Sequence, residues 1–385
     1  MISLPIGLTT VGVLLFQTHD IVAAQGNETK CDTFSSTSPL EWIGTGLAGS
    51  GMGASVSCSQ DGRRIVSSEV GYDHHRGKVA LKIKTLENST SKKSSQSSSP
   101  SSWTWSESTW IYGMEQGDCF GLSTSLAGNG QYLAIGAPGD DEAKPDAGAV
   151  SIYQVPLNVS NKRPVQKLVG SQMGENFGFS VALSNDGSIL AITAPFSSGE
   201  MNEKSAPAPE CGSLKIYHSR QENTSVENYA LLGEVYGDKA GDEMGGGGLV
   251  LSSDGFTVAV HSPTAEKENG KGKVSVYGIN TEMRRLGGDD STSAITLIQN
   301  FWDNKFNPSI LNRGIALSKT GTHFAIQTNE KGTGGQVVIY EKTPADSNSQ
   351  AFFAQVADPI DGLNKGKPTT KSPRPCSIFL VFCHY

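Results

Sequence analysis

Basic residues are scarce in this sequence, as are charged residues of either sign. Lys and Arg number 31 against 38 Asp and Glu, charged residues make up 18% of the 385 positions, and the net charge is -7. Proteins that bind nucleic acids need basic surfaces to neutralise the phosphate groups. We therefore expect no nucleic-acid partner.

The sequence also lacks a long apolar run and a catalytic or metal-binding pattern. The apolar segments 6–16 and 378–383 are shorter than the about 20 residues that cross a bilayer, so no transmembrane helix is predicted. There is no Gly-x-Ser-x-Gly motif, the seven His are scattered, and the cysteine spacings fit no zinc pattern. Residues 73–76, Asp-His-His-Arg, are interpreted as a surface loop because adjacent residues of a strand point to opposite faces. We expect no enzyme activity, no cofactor and no metal.

Glycine, by contrast, is abundant at 45 residues, and it recurs in a repeated pattern. The clearest copy reads Phe-Gly-Phe-Ser-Val at 177–181, Asn-Asp-Gly at 185–187, Leu-Ala-Ile-Thr-Ala-Pro at 190–195 and Gly-Ser-Leu-Lys-Ile-Tyr at 212–217. Asp-Gly or Asn-Gly between apolar runs is typical of a hairpin, because glycine adopts positive φ without steric cost. The predicted turn glycines are Gly62, Gly130, Gly187, Gly255 and Gly321.

These glycines lie 57 to 68 residues apart, and each unit holds about four short strands. A four-stranded sheet buries both faces when such sheets stack radially, so the pattern predicts an all-β protein, a β-propeller of four-stranded blades. A row of β-sandwich domains would need about 100 residues for each unit. A further strand precedes each unit, as at 110–112 and 167–169, and 352–356 is interpreted as the opening strand of a sixth unit. Five units and a partial sixth predict five to seven blades.

The repeat resembles the FG-GAP repeat of the integrin alpha N-terminal β-propeller over roughly residues 40–345, most clearly in the second and third units. The resemblance implies ligand binding and adhesion through loops on one propeller face. Many such repeats carry a calcium loop of alternating Asp and Asn before the turn glycine. The corresponding segment 184–187 here reads Ser-Asn-Asp-Gly, and one carboxylate cannot supply the oxygen ligands that calcium needs.

Two sets of carboxylates are candidate site residues. Asp118, Glu175 and Asp242 recur shortly before the Phe-Gly position of their units, where they are expected to accept backbone N–H bonds, the alternative being a metal or ligand ring. The second set is the loop with the most carboxylates. We interpret it as a solvated loop, and it is also the best candidate for a binding loop. Its members are Asp140, Asp141, Glu142 and Asp146.

The first residues of the chain indicate secretion. An apolar run followed by small residues up to Ala24 predicts a signal peptide at 1–24. A polar lead-in at 25–39, a propeller at 40–365 with a Ser-rich insertion at 88–102, and a tail at 366–385 follow. Asn-x-Ser/Thr triplets predict N-glycosylation in a secreted chain. Those triplets begin at Asn27, Asn88, Asn158 and Asn223.

Six cysteines permit disulfides in such a chain without fixing their pairing. Cys58 stands at the repeat position that Leu183 occupies in the third unit. Because that position is expected to lie in the core, a buried free thiol is the alternative for Cys58. A cluster formed by Trp103, Trp105 and Trp110 can pack in the core or stack on sugars.

We therefore expect a secreted or cell-surface binding and adhesion module that recognises an extracellular protein or glycan through loops on one face. One alternative is a propeller enzyme such as a glycoside hydrolase, with a carboxylate pair roughly 5–10 Å apart facing a central pocket. Another is a truncated copy without activity.

Overall fold

A computed structural model describes the fold through five antiparallel sheets. It describes residues 51–87, 102–106, 108–157, 162–199, 208–220, 228–267, 270–281, 294–302, 314–328, 336–343, 351–356 and 358–361. The predicted signal peptide, lead-in, tail and all four glycosylation triplets lie outside these ranges, as do residues 88–101 of the Ser-rich segment. Ser102, predicted as the end of that insertion, instead begins a strand.

Each sheet is built from consecutive strands. The first contains β1 (Met52–Cys58), β2 (Arg64–Glu69), β3 (Lys78–Glu87), β4 (Ser102–Trp105) and β5 (Thr109–Tyr112). The second contains β6 (Ser123–Leu126), β7 (Tyr132–Ala137), β8 (Ala149–Gln154) and β9 (Gln166–Val169). The third contains β10 (Ser180–Leu183), β11 (Ile189–Ala194), β12 (Ser213–Arg220) and β13 (Asn228–Tyr236).

The fourth sheet contains β14 (Gly248–Leu251), β15 (Thr257–Lys267), β16 (Gly270–Ile279) and β17 (Ile295–Trp302). The fifth contains β18 (Ile315–Leu317), β19 (His323–Thr328), β20 (Gln336–Thr343), β21 (Phe352–Gln355) and β22 (Ile360–Asp361). The first strands of the five sheets pack against one another in chain order. Five sheets of four or five strands with packed inner strands form the predicted β-propeller architecture.

The outer strands revise two expectations. The strand expected before each unit pairs with the third strand of the preceding sheet, as β9 pairs with β8 and β13 with β12. Residues 352–355 do not open a sixth sheet, because β21 pairs with β20 of the fifth through Thr343 and Phe352. The sequence of so short a strand does not specify which neighbouring strand it pairs with. The strand that precedes each repeat unit in the sequence therefore belongs to the preceding sheet.

The hairpin turns between first and second strands confirm the glycine pattern. All five turn glycines have positive φ, from 63° at Gly62 and Gly321 to 79° at Gly187 and Gly255. In three turns a serine hydroxyl donates to the aspartate two residues later, as Ser184 does to Asp186 over 2.6 Å. Backbone N–H groups also link successive turns: that of Gln60 donates to Gly128, and that of Asn129 to Asn185. These short turns therefore tie neighbouring blades together.

Apolar clusters fill the spaces between consecutive sheets. Ile192 and Leu190 of the third sheet pack with residues of the second, whereas Ala191 of the same strand belongs to the cluster shared with the fourth. This alternation follows from the period of two along a strand. The small central alanines Ala134, Ala191 and Ala259 are fully buried. Burial on both faces explains the apolar runs of the second strands.

Leu183 and Gly187 test the strand and turn assignments. Leu183 is buried, and a Cβ at Gly187 would lie 2.9 Å from Cδ2 of Tyr132. We predict that Leu183→Ala lowers the free energy of unfolding by about 2–5 kcal/mol. Gly187→Val should lower it as well, because a β-branched residue is strained at positive φ. Leu231→Ala, at a partly exposed site of the same sheet, is the control and should change stability by less than about 0.5 kcal/mol. Equal values for the three variants in urea unfolding would contradict the assignments.

Candidate loop-face site

Three junction loops connect consecutive blades at the end of the sheets opposite the hairpin turns; we call this end the loop face. They comprise residues 113–121, 170–178 and 237–245, and each ends in Gly-Asp/Glu-x-Phe/Met-Gly. The first glycine of this motif has positive φ and open space where a side chain would be, as at Gly174. The residue before Phe or Met also has positive φ, from 48° to 54°, although none of the three is glycine. Those residues are Cys119, Asn176 and Glu243.

The carboxylate of each motif holds the start of its own loop. Asp118 accepts the N–H of Glu115 at 3.0 Å. Asp242 accepts the N–H groups of Asp238 and Lys239 at 3.0 and 3.2 Å. Glu175 accepts those of Ser171 and Gln172. The three acids are buried, and each accepts backbone N–H groups within its own turn.

Backbone bonds then fasten each junction loop to the preceding blade. The N–H of Cys119 donates to the carbonyl of His75 at 2.8 Å, and that of Asn176 donates to Asp146 at 3.1 Å. The N–H of Glu243 donates to Glu210, also at 3.1 Å. The acceptors lie two residues before the glycine that precedes the third strand. At all three junctions, the residue with positive φ therefore donates its N–H to the carbonyl of the equivalent residue in the preceding blade.

At the second and third junctions, a lysine of the following blade faces the acid. Lys273 Nζ lies 3.4 Å from Asp242 and 2.7 Å from Asp238, and Lys215 Nζ lies 3.9 Å from Glu175. At the first junction, Lys167 instead forms ion pairs with Asp140 and Glu142 of its own blade. A buried carboxylate needs such compensation because leaving water is costly for a charge.

These lysines stand at different places in the repeat. Lys273 directly follows Gly272, whereas Lys215 lies three residues after the equivalent Gly212. Lys167 is in the fourth strand of its sheet, opposite Ser151. No spacing in the sequence marks them as equivalent. Sequence comparison of the repeats therefore missed all three.

The predicted binding loop divides into buried and exposed carboxylates. Asp140 is buried and accepts from Lys167 Nζ at 2.7 Å, and Glu142 accepts from the same ammonium at 2.5 Å. Asp141 accepts the backbone N–H of Asp146 at 2.6 Å. Asp140 therefore stabilises the loop, while Asp141, Glu142 and Asp146 are exposed on the loop face.

Asp118 and Asp140 are the carboxylates that repel each other most clearly at this junction. Burial raises the pKa of Asp118, and repulsion from Asp140 and Glu115 adds to the increase. The N–H bond from Glu115 and the charge of Lys167 act in the opposite direction. Both acids are buried, and Asp140 is paired with the Lys167 ammonium.

Large apolar side chains project from the same loops. Met114 is 78% exposed and Met173 is 71% exposed, and both lie within junction loops. Tyr112 and Phe196, at the adjoining strand ends, are also exposed. Exposure depends on tertiary placement, so the repeat pattern did not reveal these residues.

The loop of the first blade that precedes Gly77 has an unusual backbone. Asp73, His74 and His75 are three consecutive left-handed residues without glycine, with φ of 47°, 58° and 64°. Such residues cost roughly 1–2 kcal/mol each, and carbonyl bonds to the first junction loop help to hold them. The prediction of a surface loop at 73–76 agrees with its exposure, His74 being 84% exposed.

The cysteines and the tryptophans occupy separate places. Cys119 and Cys211 are free thiols, whereas Cys58 is disulfide-bonded, which corrects the free-thiol interpretation of Cys58. Trp105 pairs with Lys84 in the first sheet, and Trp110 lies 4.5 Å from Lys78 Nζ.

In the part of the chain that the structure describes, no cluster of three His, Cys, Asp or Glu side chains could hold a metal ion. Over the same ranges, no helix is long and apolar enough to cross a membrane.

Two aspartates with opposite pKa shifts predict opposite pH dependence. The folded-state pKa of Asp118 is raised above 3.8, so stability falls as the pH rises through the window above 3.8. Burial opposes the shift of Asp186, but hydrogen bonds from Ser184 and Ser188 lower its pKa, so its stabilisation is lost as the pH falls below 3.8. Asp118→Asn should gain stability relative to the parent as the pH rises, and Asp186→Asn should lose it. Urea unfolding between about pH 3 and pH 7 measures both, and parallel curves for all three proteins would contradict the assignment.

Comparison with known proteins supports the repeat. Residues 113–153 match the FG-GAP repeat family, a segment that contains the first junction loop and the strands β6 to β8. A search of curated proteins found no match.

Solved structures with related architecture are distant. A Bacteroides uniformis protein assigned as a 6-phosphogluconolactonase has 12% identity and a TM-score of 0.46, over 79% of this chain and 71% of its own. The periplasmic gluconolactonase of Pseudomonas aeruginosa has 13% identity and a TM-score of 0.43, over 82% and 74%. Hydrazine synthase of Kuenenia stuttgartiensis has 13% identity and a TM-score of 0.41, over 80% and 67%. Likenesses at this level carry no argument about activity.

The five sheets and the matched segment together confirm the resemblance predicted from the sequence. The chain is a β-propeller that carries an FG-GAP repeat.

Proposed function

We propose that this chain is a secreted or cell-surface binding module that recognises an extracellular protein or glycan through its loop face and does so without catalysis. The observation that carries the proposal is the contrast between the rigid anchoring of the junction loops and the exposure of their apolar side chains. Buried acids and interblade backbone bonds fix the loops, while Met114 and Met173 point to solvent.

Anchored loops favour binding on energetic grounds. A loop that is already ordered loses little conformational entropy when a partner docks, so more of the contact energy remains as affinity. Methionine and aromatic side chains are enriched at the centres of protein interfaces, whereas most exposed loop residues are polar. The apolar side chains of this face therefore favour a protein partner over a glycan. The predicted signal peptide and glycosylation triplets agree with an extracellular location.

The carboxylates of the loop face fit binding better than hydrolysis. Asp118, Glu175 and Asp242 are buried and engaged with backbone N–H groups. Asp140 shares the ammonium of Lys167 with Glu142. A glycoside hydrolase needs two carboxyl groups that both reach the substrate, so we propose a structural role for these acids.

A cell-binding assay tests the proposal. The purified secreted chain is applied to a panel of fixed cultured cells, with and without prior treatment of the cells with protease or glycosidase. We predict retention on at least one cell type that protease treatment abolishes. Replacing both Met114 and Met173 with Ser should weaken retention by roughly fivefold or more, the size expected when interface contacts are lost.

Phe256→Ser is the matched control, because Phe256 is 52% exposed but lies in a hairpin turn at the opposite end of the sheets. It should leave retention unchanged. Abolition by glycosidase alone would assign the partner as a glycan. Equal loss in the methionine and Phe256 variants, or no retention on any cell, would contradict binding through the loop face.

A further inference from the structure

The four methionines of the described ranges fall into two classes. Met114 and Met173 are largely exposed, whereas Met52 is 8% exposed and Met244 is fully buried. The thioether sulfur of methionine reacts with peroxides at a rate that depends on access. A buried thioether reacts only when the surrounding structure opens.

The repeats indicate that neither exposed methionine holds its loop together. Counted back from the buried acid, Met114 takes the place of Ser171, and Met173 takes the place of Gln116 and Ala240. The three loops share their backbone bonds despite these differences. A polar side chain at Met114 or Met173 is therefore compatible with the same loop conformation.

Met244 is the opposite case. It takes the place of Phe120 and Phe177, and its side chain packs in the apolar cluster between the third and fourth sheets. Oxygen on its sulfur would place a polar group in that core without a partner, which is costly. The chain thus combines a protected core methionine with two accessible ones on the face proposed for binding.

We propose that Met114 and Met173 are modification sites for peroxides, and that their oxidation converts the loop face from an apolar to a polar surface. In the step, the O–O bond of hydrogen peroxide breaks, one oxygen atom forms a bond to the sulfur, and water leaves. The sulfur loses two electrons and the peroxide gains them. The product is a sulfoxide, which methionine sulfoxide reductases return to the thioether. The effect on binding, but not the modification itself, rests on the proposed function.

Site-resolved oxidation of the full secreted chain tests the modification. The chain is treated with dilute hydrogen peroxide, digested at intervals, and analysed by mass spectrometry. Sulfoxide should form at Met114 and Met173 at least about tenfold faster than at Met52 and Met244, because the buried pair waits for local opening. Unfolding in urea should be unchanged while only the exposed pair is oxidised. Equal rates at the four sites, or early destabilisation, would overturn the proposal.

The cell-binding assay tests the consequence. Oxidised chain should be retained roughly fivefold less than untreated chain, and reductase treatment should restore retention. A variant with Gln at both exposed positions, M114Q with M173Q, should bind weakly and become insensitive to peroxide. Unchanged retention after oxidation would overturn the effect on binding. A chain that binds no cell would instead refute the proposed function, while the oxidation pattern is read without any ligand.

Discussion

Burying a carboxylate at the three described blade junctions is the constraint on which the loop face depends. The three acids are buried: Asp118, Glu175 and Asp242. The free-energy cost of removing their charges from water must be offset by backbone N–H donors and nearby ammonium groups. Meeting this requirement fixes the start of each loop and leaves its middle projecting into solvent. At the second and third junctions, a lysine of the following blade also lies against the loop, so these neighbouring blades are joined by charge as well as by apolar packing.

The lysines show how tertiary structure can repeat where sequence does not. Lys215 and Lys273 approach Glu175 and Asp242 from two different strand positions, because a long flexible side chain can reach one point from several origins. Lys167, in a fourth strand, contacts Asp140 beside the first junction. The acids could be predicted because they stand at a constant distance from the Phe-Gly motif. The lysines could not, since their equivalence exists only in space.

Sequence reasoning succeeded where a backbone conformation restricts the residue type. The turn glycines, including Gly187 with φ of 79°, are the best example, because few other residues tolerate that conformation. The assignment of residues 352–355 to a sixth unit was wrong, since an outer strand has no residue that specifies its neighbour. The exposure of the Met114 and Met173 side chains was not predicted, because it depends on tertiary placement and the repeat has no conserved residue at these positions. Asp140 was predicted as a binding residue because of its charge, but in the structure it is buried and paired with Lys167.

Amide hydrogen exchange across the third junction loop tests the central claim most directly. Asp242→Ala removes the acceptor for the N–H groups of Asp238 and Lys239. We predict faster exchange throughout residues 238–245 in this variant, with residues 171–178 of the preceding junction unchanged. Asp254→Ala, in a hairpin turn at the other end of the same sheet, should leave residues 238–245 as in the parent. Unaltered exchange at residues 238–245 in the Asp242 variant would contradict the account.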